Sequence, residues 1–352
     1  MSDTLQADVT PPPTHDERVG RRSGLARLFA RPEAGALAGA IVIYIFFFII
    51  APPFRNASSL STVLYVSSTY GLMATPIALL MIGGEFDLSA GVAVITAALT
   101  ASLFAFEFTT NMWIGVAVAL AVALLVGFIN GWIVVRTGIP SFLVTLGTFF
   151  MLEGLNLALT RTITNQVASP DISTLQGFNS AKSVFASSFE IGGVSVNITV
   201  IYWIVFVLIA TWILLRTRIG NWIFSVGGNA PSARAVGVPV ARMKIGLFMA
   251  VGFMAWFTGM HTLMLFNTIQ SGQGVGNEFV YIIAAVVGGC LLTGGYGSAV
   301  GAAIGAFIFG MTNQGIVYAG WDPDWFTFFL GALLLGAILL NTYIRRRAEA
   351  AR

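Results

Sequence analysis

Residues 112–135 read Met112-Trp113-Ile114-Gly115-Val116-Ala117-Val118-Ala119-Leu120-Ala121-Val122-Ala123-Leu124-Leu125-Val126-Gly127-Phe128-Ile129-Asn130-Gly131-Trp132-Ile133-Val134-Val135, and Arg136 closes them. No charge interrupts the run. A helix crossing a hydrocarbon core of about 30 Å needs about 20 such residues, so this stretch reads as a membrane span. Nine more segments read the same way: 34–54, 62–82, 89–107, 141–160, 198–216, 244–269, 277–293, 297–319 and 325–344. They are too long and too continuous for barrel strands, which alternate over about ten residues. The expected fold class is all-α, a polytopic membrane protein of about ten transmembrane helices.

Composition agrees. Of 352 residues, 57% are hydrophobic and 9% charged, against about 45–50% and about 25% in soluble domains. Mean hydropathy is +0.85. So few charges cannot cover a soluble surface of this size. One cysteine, Cys290, lies in an apolar segment, so no intrachain disulfide or CxxC site is available. The arginines sit in short loops between apolar runs rather than on a basic face with aromatics, which argues against a nucleic-acid partner.

Orientation follows from the distribution of basic residues. An N-in, C-in arrangement puts 15 of the 18 inside: Arg18, Arg21, Arg22, Arg27, Arg31, Arg136, Arg216, Arg218, Arg234, Arg242, Lys244, Arg345, Arg346, Arg347 and Arg352. Only Arg55, Arg161 and Lys182 remain outside. Residues 1–33, with Pro11-Pro12-Pro13 and five arginines, read as a disordered basic cytoplasmic tail. A short basic amphipathic helix is expected around Arg21–Arg31. A cleavable signal would place its apolar region close to Met1. Residues 34–344 form the transmembrane domain, with 161–197 as a periplasmic loop and 217–243 as a cytoplasmic one. Residues 345–352 form a cytoplasmic C-terminal tail.

The 217–243 loop is longer than topology requires, and it is patterned. Asn229 is a good helix N-cap, and Pro231 falls in the first turn, where a missing N–H costs little. Ala233, Arg234, Ala235 and Val236 continue the helix. Gly237 closes it in the left-handed conformation, and Pro239 prevents its return.

Four stretches of the chain resemble the permease subunits of bacterial ABC importers for sugars, the ribose/xylose/galactose-type branched family. The first is Gly227-Gly228-Asn229 through Ala233-Arg234, Gly237-Val238, Arg242 and Lys244. The second is Gly83-Gly84-Glu85-Phe86-Asp87-Leu88-Ser89-Ala90-Gly91. The third is Gly138-Ile139-Pro140-Ser141-Phe142-Leu143-Val144-Thr145-Leu146-Gly147-Thr148. The fourth is Gly288-Gly289-Cys290-Leu291-Leu292-Thr293-Gly294-Gly295-Tyr296-Gly297, with Asn313-Gln314-Gly315 after it. The resemblance runs from about residue 40 to 345.

It implies that the 229–242 segment is a coupling helix docking on a cytoplasmic ATPase, with Gly228, Asn229, Ala233, Arg234, Gly237 and Arg242 at the contact. Ala230, Ala233 and Gly237 would allow close approach. It also implies a second permease copy or paralogue, two ABC ATPase subunits and a periplasmic solute-binding protein. ATP and Mg would sit on the partner subunits, and the location would be the bacterial inner membrane.

The chain itself carries no catalytic constellation. No P-loop spacing occurs. The nearest decoy, Gln176–Ser183, has Gln176 and Ala181 where glycines belong. His15 and His261 are the only histidines, so no histidine cluster can hold a metal, and His261 reads as a hydrogen-bonded packing residue. No cofactor is expected in this chain.

Charged and polar residues near the spans have two readings each. Glu85 and Asp87 sit between the second and third spans: Asp87 or Ser89 caps the third, or these residues touch the pathway or a neighbouring subunit. Glu153, where relatives often carry arginine, lines the cavity or sits near the outer interface. Asn130, Asn156, Asn267, Asn313 and Gln314 are pathway candidates with Phe149 and Phe150 as stacking faces, or they bond between helices. Gly84, Asp87, Ser89, Gly289 and Gly294 are candidate helix-break or gating positions.

Gly297, Gly301 and Gly305, like Gly127 and Gly131, recur at helix-packing spacing. The 83–91 stretch also lies over 288–295 with one gap. This suggests that spans two to five and seven to ten are related halves. The expected function is passage of a sugar or polyol. A secondary transporter, an embedded enzyme and an ABC permease for another substrate are the rivals.

Overall fold

Each long apolar run forms a helix, because backbone groups in lipid find partners only within the segment. The computed structural model describes residues 32–350, with side chains for 33–339. The expected N-terminal tail, with its basic helix, lies outside the described residues except at its last positions.

The helices are α1 (Pro32–Ile50), α2 (Ala57–Ile82), α3 (Ala90–Phe104), α4 (Met112–Thr137), α5 (Ser141–Thr164), α6 (Phe178–Phe185), α7 (Ile198–Arg216), α8 (Arg218–Gly228), α9 (Ala230–Ala235), α10 (Val240–Phe266), α11 (Asn277–Val287), α12 (Ala299–Tyr318) and α13 (Trp325–Ala350). A π turn over Ala105–Thr109 extends α3. Strands β1 (Ser188–Ile191) and β2 (Val194–Asn197) pair antiparallel in a small hairpin. The fold is all-α apart from that hairpin.

Eight of the described helices are long and apolar enough to cross a membrane. The expected spans 277–293 and 325–344 fall short of that measure, with apolar helical stretches at Asn277–Val287 and Trp325–Leu339. In the first, eleven residues at 1.5 Å each reach only about 16 Å, about half the bilayer core. Ahead of α11, the chain from Asn267 to Gly276 is not helical. Its backbone is satisfied by the loop after α5: Ser169 N–H donates to Ile269 O (2.9 Å), Ile172 N–H to Asn267 O (3.1 Å) and Ser271 N–H to Val167 O (2.9 Å). Glu278, in the first turn of α11, takes the Gly276 N–H on both carboxylate oxygens at 3.1 Å. Irregular backbone needs such partners wherever water does not supply them.

The two expected loops are structured. Residues 161–197 contain α6 and the hairpin. Residues 217–243 are not a loop with one helix but hold α8, α9 and the start of α10. α13 runs on to Ala350, so the expected C-terminal tail is helical as far as it is described.

Packing follows the glycines. In α4, a Cβ added at Gly127 would lie 2.5 Å from Phe248 O, and one at Gly131 would lie 2.7 Å from Ile245 Cα. From α10, one at Gly252 would collide with Ala123 O. In α12, additions at Gly301 and Gly305 would strike the Gly288 and Ala284 carbonyls of the α11 region. These are close backbone approaches of the small-residue type. His261 packs as expected, with Nδ1 2.8 Å from Phe185 O and Nε2 3.3 Å from the Tyr65 hydroxyl.

Two α10 glycines make a matched test. Gly252 faces the α4 backbone, whereas a Cβ at Gly246 would meet nothing within 4 Å. Gly252→Ala overpacks a tight crossing, at a cost of about 1–3 kcal/mol. Gly246→Ala gains helix propensity, up to about 1 kcal/mol. In detergent, the thermal midpoint is expected to fall for the first variant and hold or rise for the second.

Candidate functional site

Two helices end in the same cap. After α2, Gly83 N–H donates to Leu79 O, Gly84 N–H to Met81 O and Glu85 N–H to Leu80 O. After α11, Gly288 N–H donates to Ala284 O, Gly289 N–H to Val286 O and Cys290 N–H to Ala285 O. Gly84 and Gly289 both stand in the left-handed region, at φ 83° and 94°, where a side chain is costly. The internal likeness read from the sequence is therefore a shared device for stopping a helix with its last carbonyls satisfied.

The first break is held by a buried polar network. The Asp87 carboxylate accepts the Ser89 N–H (2.8 Å) and hydroxyl (2.6 Å). Asn130 of α4 donates its amide to Ser89 Oγ at 3.0 Å and accepts the Thr148 hydroxyl of α5 at 2.6 Å. Ser141 and Thr145, at the start of α5, accept the Phe86 and Leu88 N–H groups at 2.9 and 3.0 Å. Asp87, Ser89, Asn130, Ser141 and Thr145 are all buried. In this loop between spans, burial pushes the Asp87 carboxyl up to about 6, while its bonds from Ser89 pull the other way. Glu85, also buried, pairs with Lys244 of α10. Gly84, Glu85, Ser141, Phe142, Lys244 and Phe279 are among the residues lining a cavity of about 730 Å³ beside this pair.

The second feature is the segment between α7 and α10. Thr217 caps α8, its hydroxyl accepting the Gly220 N–H at 3.2 Å. Asn229 caps α9, its carbonyl accepting the Ser232 N–H at 2.8 Å. Gly237, at φ 87°, ends the turn. Ala233 is buried in a small cluster with Val226, Val238 and Val240, so it holds the segment together from within. Arg234, Ala235, Gly237 and Arg242 are exposed, and Val236 is 80% exposed.

A family profile described as branched-chain amino acid transport system, permease component, matches residues 59–338. The chain belongs to this permease family. It is a multi-pass permease of the inner membrane. Among curated proteins, it is 28% identical to the fructose import permease protein FrcC of Rhizobium meliloti, over 91% of this chain and 88% of that one. It is 30% identical to the ribose import permease protein RbsC of Escherichia coli, over 88% and 93%. It is 29% identical to the galactose/methyl galactoside import permease protein MglC of Haemophilus influenzae, over 83% and 88%. No solved structure matches the chain.

The permease brings some of its sequence-predicted residues together and scatters others. Gly84 and Gly294 meet: a Cβ on Gly294 would lie 2.7 Å from Gly84 Cα. Gly228 and Asn229 follow directly on the same junction. The pathway candidates are spread over several helices. Phe149 and Phe150 stand edge to face at 5.2 Å between ring centres on α5, with Phe150 61% exposed. Asn156 is buried, its amide 3.4 Å from Val92 O. Asn267 is the left-handed cap of α10 at φ 63°. Asn313 and Gln314 are half-buried on α12 and bond to each other at 3.1 Å.

Sequence reasoning missed three residues: Glu278, the partner role of Lys244, and the exposed Val236. The first is an acid just inside a short helix, a signal visible only once α11 is known to be half-length. It lies within electrostatic reach of Glu153.

Asn130→Ala would take one partner each from the buried Ser89 hydroxyl, which keeps Asp87, and the half-buried Thr148 hydroxyl, which keeps Val144 O, at about 0.5–1.5 kcal/mol for each hydrogen bond lost. Combined with Thr148→Val, the double variant should lose less than the two single losses together. Thermal unfolding of the four proteins of the cycle measures this coupling, expected at about 0.5–3 kcal/mol.

Proposed function

We propose that this permease passes a sugar or polyol across the inner membrane as one of two membrane subunits of an ABC importer. It is oriented with both termini in the cytoplasm and worked by separate ATPase subunits that dock on residues 229–242. A periplasmic solute-binding protein delivers the solute. The chain itself is not an enzyme; ATP and Mg belong to the ATPase subunits, and no cofactor is held here. The substrate class rests on the fructose, ribose and galactose import permeases to which the chain is similar.

One observation carries the docking reading: a short helix, capped at both ends and packed on its own inner face, that presents an apolar knob between arginines. Val236 is 80% exposed, and Arg234 and Arg242, on either side of it in sequence, are exposed too. The 217–243 segment contains no acidic residue. Such a surface fits a partner groove with an apolar floor and an acidic rim, since complementary charge steers and registers association. A rigid helix passes displacement on, where a flexible loop would absorb it.

Asn130, Asn156, Asn267, Asn313 and Gln314, with Phe149 and Phe150, remain the pathway candidates. Uncharged amides and aromatic faces suit hydroxylated solutes at low desolvation cost.

Val236→Asp tests the reading. The variant should fold and insert normally, because the side chain is exposed. The amount of ATPase that copurifies with the permease should fall at least tenfold, and ATP-driven uptake should fall with it. Undiminished copurification and uptake would remove residues 229–242 as the docking element. Uphill uptake by the purified permease on a proton or sodium gradient, without ATPase, would remove the importer reading altogether.

A further inference from the structure

Three stretches of backbone meet at one point. The first is the end of α2 at Ile82–Gly84. The second is the end of α8 at Gly227–Gly228, one residue before the docking helix. The third is Gly294–Gly295, the far end of the break that comes after α11. A Cβ on Gly227 would collide with the Ile82 carbonyl and lie 2.7 Å from Gly295 N. One on Gly84 would lie 3.3 Å from Gly227 Cα. One on Gly294 would lie 2.7 Å from Gly84 Cα and 2.9 Å from Gly227 O, and one on Gly295 2.9 Å from Gly228 Cα. A hydrogen bond ties two of the three together, from Gly295 N–H to Ile82 O at 2.8 Å.

The other end of the docking segment is fastened to the same break. Lys244, in the first turns of α10, pairs with Glu85, the residue after Gly84. The segment between these two fastenings is stiffened by the Val226, Ala233, Val238 and Val240 cluster and by the cap at Asn229. Side chains can absorb a small movement by changing rotamer. Backbone packed on backbone cannot, and close-packed interiors transmit strain.

We propose that the contact of Gly227 with Ile82 and Gly295, backed by the Lys244–Glu85 pair, is the joint through which the docking segment moves both helix breaks at once. The residues act by positioning, and touch no solute. This rests on residues 229–242 being the ATPase docking element, and extends it by saying where the displacement goes. The first break leads into the Asp87–Ser89–Asn130–Thr148 network, so movement there reaches α4 and α5. The second leads into α12.

The test uses the importer assembled from this chain and the ATPase and solute-binding protein that purify with it, in proteoliposomes. Gly227→Ala is compared with Gly246→Ala, whose Cβ would meet nothing within 4 Å. Gly227→Ala should retain bound ATPase and ATP hydrolysis, while solute uptake per ATP falls at least tenfold. Gly246→Ala should keep uptake within twofold of the unaltered protein. Normal uptake per ATP in Gly227→Ala would overturn the joint.

A second measurement needs no variant, and decides the matter if Gly227→Ala does not fold. Backbone hydrogen exchange of the unaltered assembly is compared without nucleotide and after trapping with ATP and vanadate. Peptides covering 82–89, 226–229 and 290–297 should change together. A change confined to the docking segment overturns the joint while leaving docking intact. Loss of ATPase binding in Val236→Asp speaks only to docking, so the two ideas fail separately.

Discussion

A helix that ends among packed neighbours must satisfy its last peptide groups within the protein, and this permease does so twice in the same way. At Ile82 and at Val287 the helix is stopped by two glycines, and three N–H groups fold back onto the last turn. The left-handed glycine in each cap lets the chain turn without a Cβ striking the preceding carbonyl. The backbone beyond each cap then needs partners of its own. After the first, Ser141 and Thr145 hydroxyls accept the Phe86 and Leu88 N–H groups. After the second, Leu291 N–H donates to the Tyr296 carbonyl and Gly295 N–H to Ile82 O. The second break is thus satisfied partly by the first, which draws them to one place.

The same economy of space sets the segment between α7 and α10. α8 begins immediately after α7, with Gly220 packed on the carbonyl of Leu214, and it ends against the first break. α9 is too short to be stable as an isolated helix. It is held by its Asn229 cap, its Pro231 and the burial of Ala233. A helix stabilised from within can leave its outer face free for a partner, which is why Val236 can stay exposed without collapsing onto the bundle.

Among the described residues there is no cluster of three metal-binding side chains. The polar groups buried at the first break are satisfied by one another: carboxylate by hydroxyl, amide by hydroxyl, ammonium by carboxylate. Such a network specifies one arrangement when every member is satisfied. A network spanning α4, α5 and the first break has the reach to change their relative position as a unit.

The sequence by itself determined the membrane class, the long helices and the capped turn at Asn229–Gly237, because hydropathy, length and cap chemistry are local properties written in consecutive residues. It also marked both Gly-Gly breaks, since a left-handed cap demands glycine wherever the fold puts it. Only the tertiary structure decided that α11 is half-length, since Gly288 to Thr293 are apolar or small enough to pass for the end of a span while their backbone bonds lead elsewhere. It alone assigned Ala233 to the inner face of α9, paired Glu85 with Lys244, and brought Gly84, Gly227 and Gly294 to one point. Those contacts join residues tens to hundreds of positions apart, and no local periodicity records which glycine will meet which.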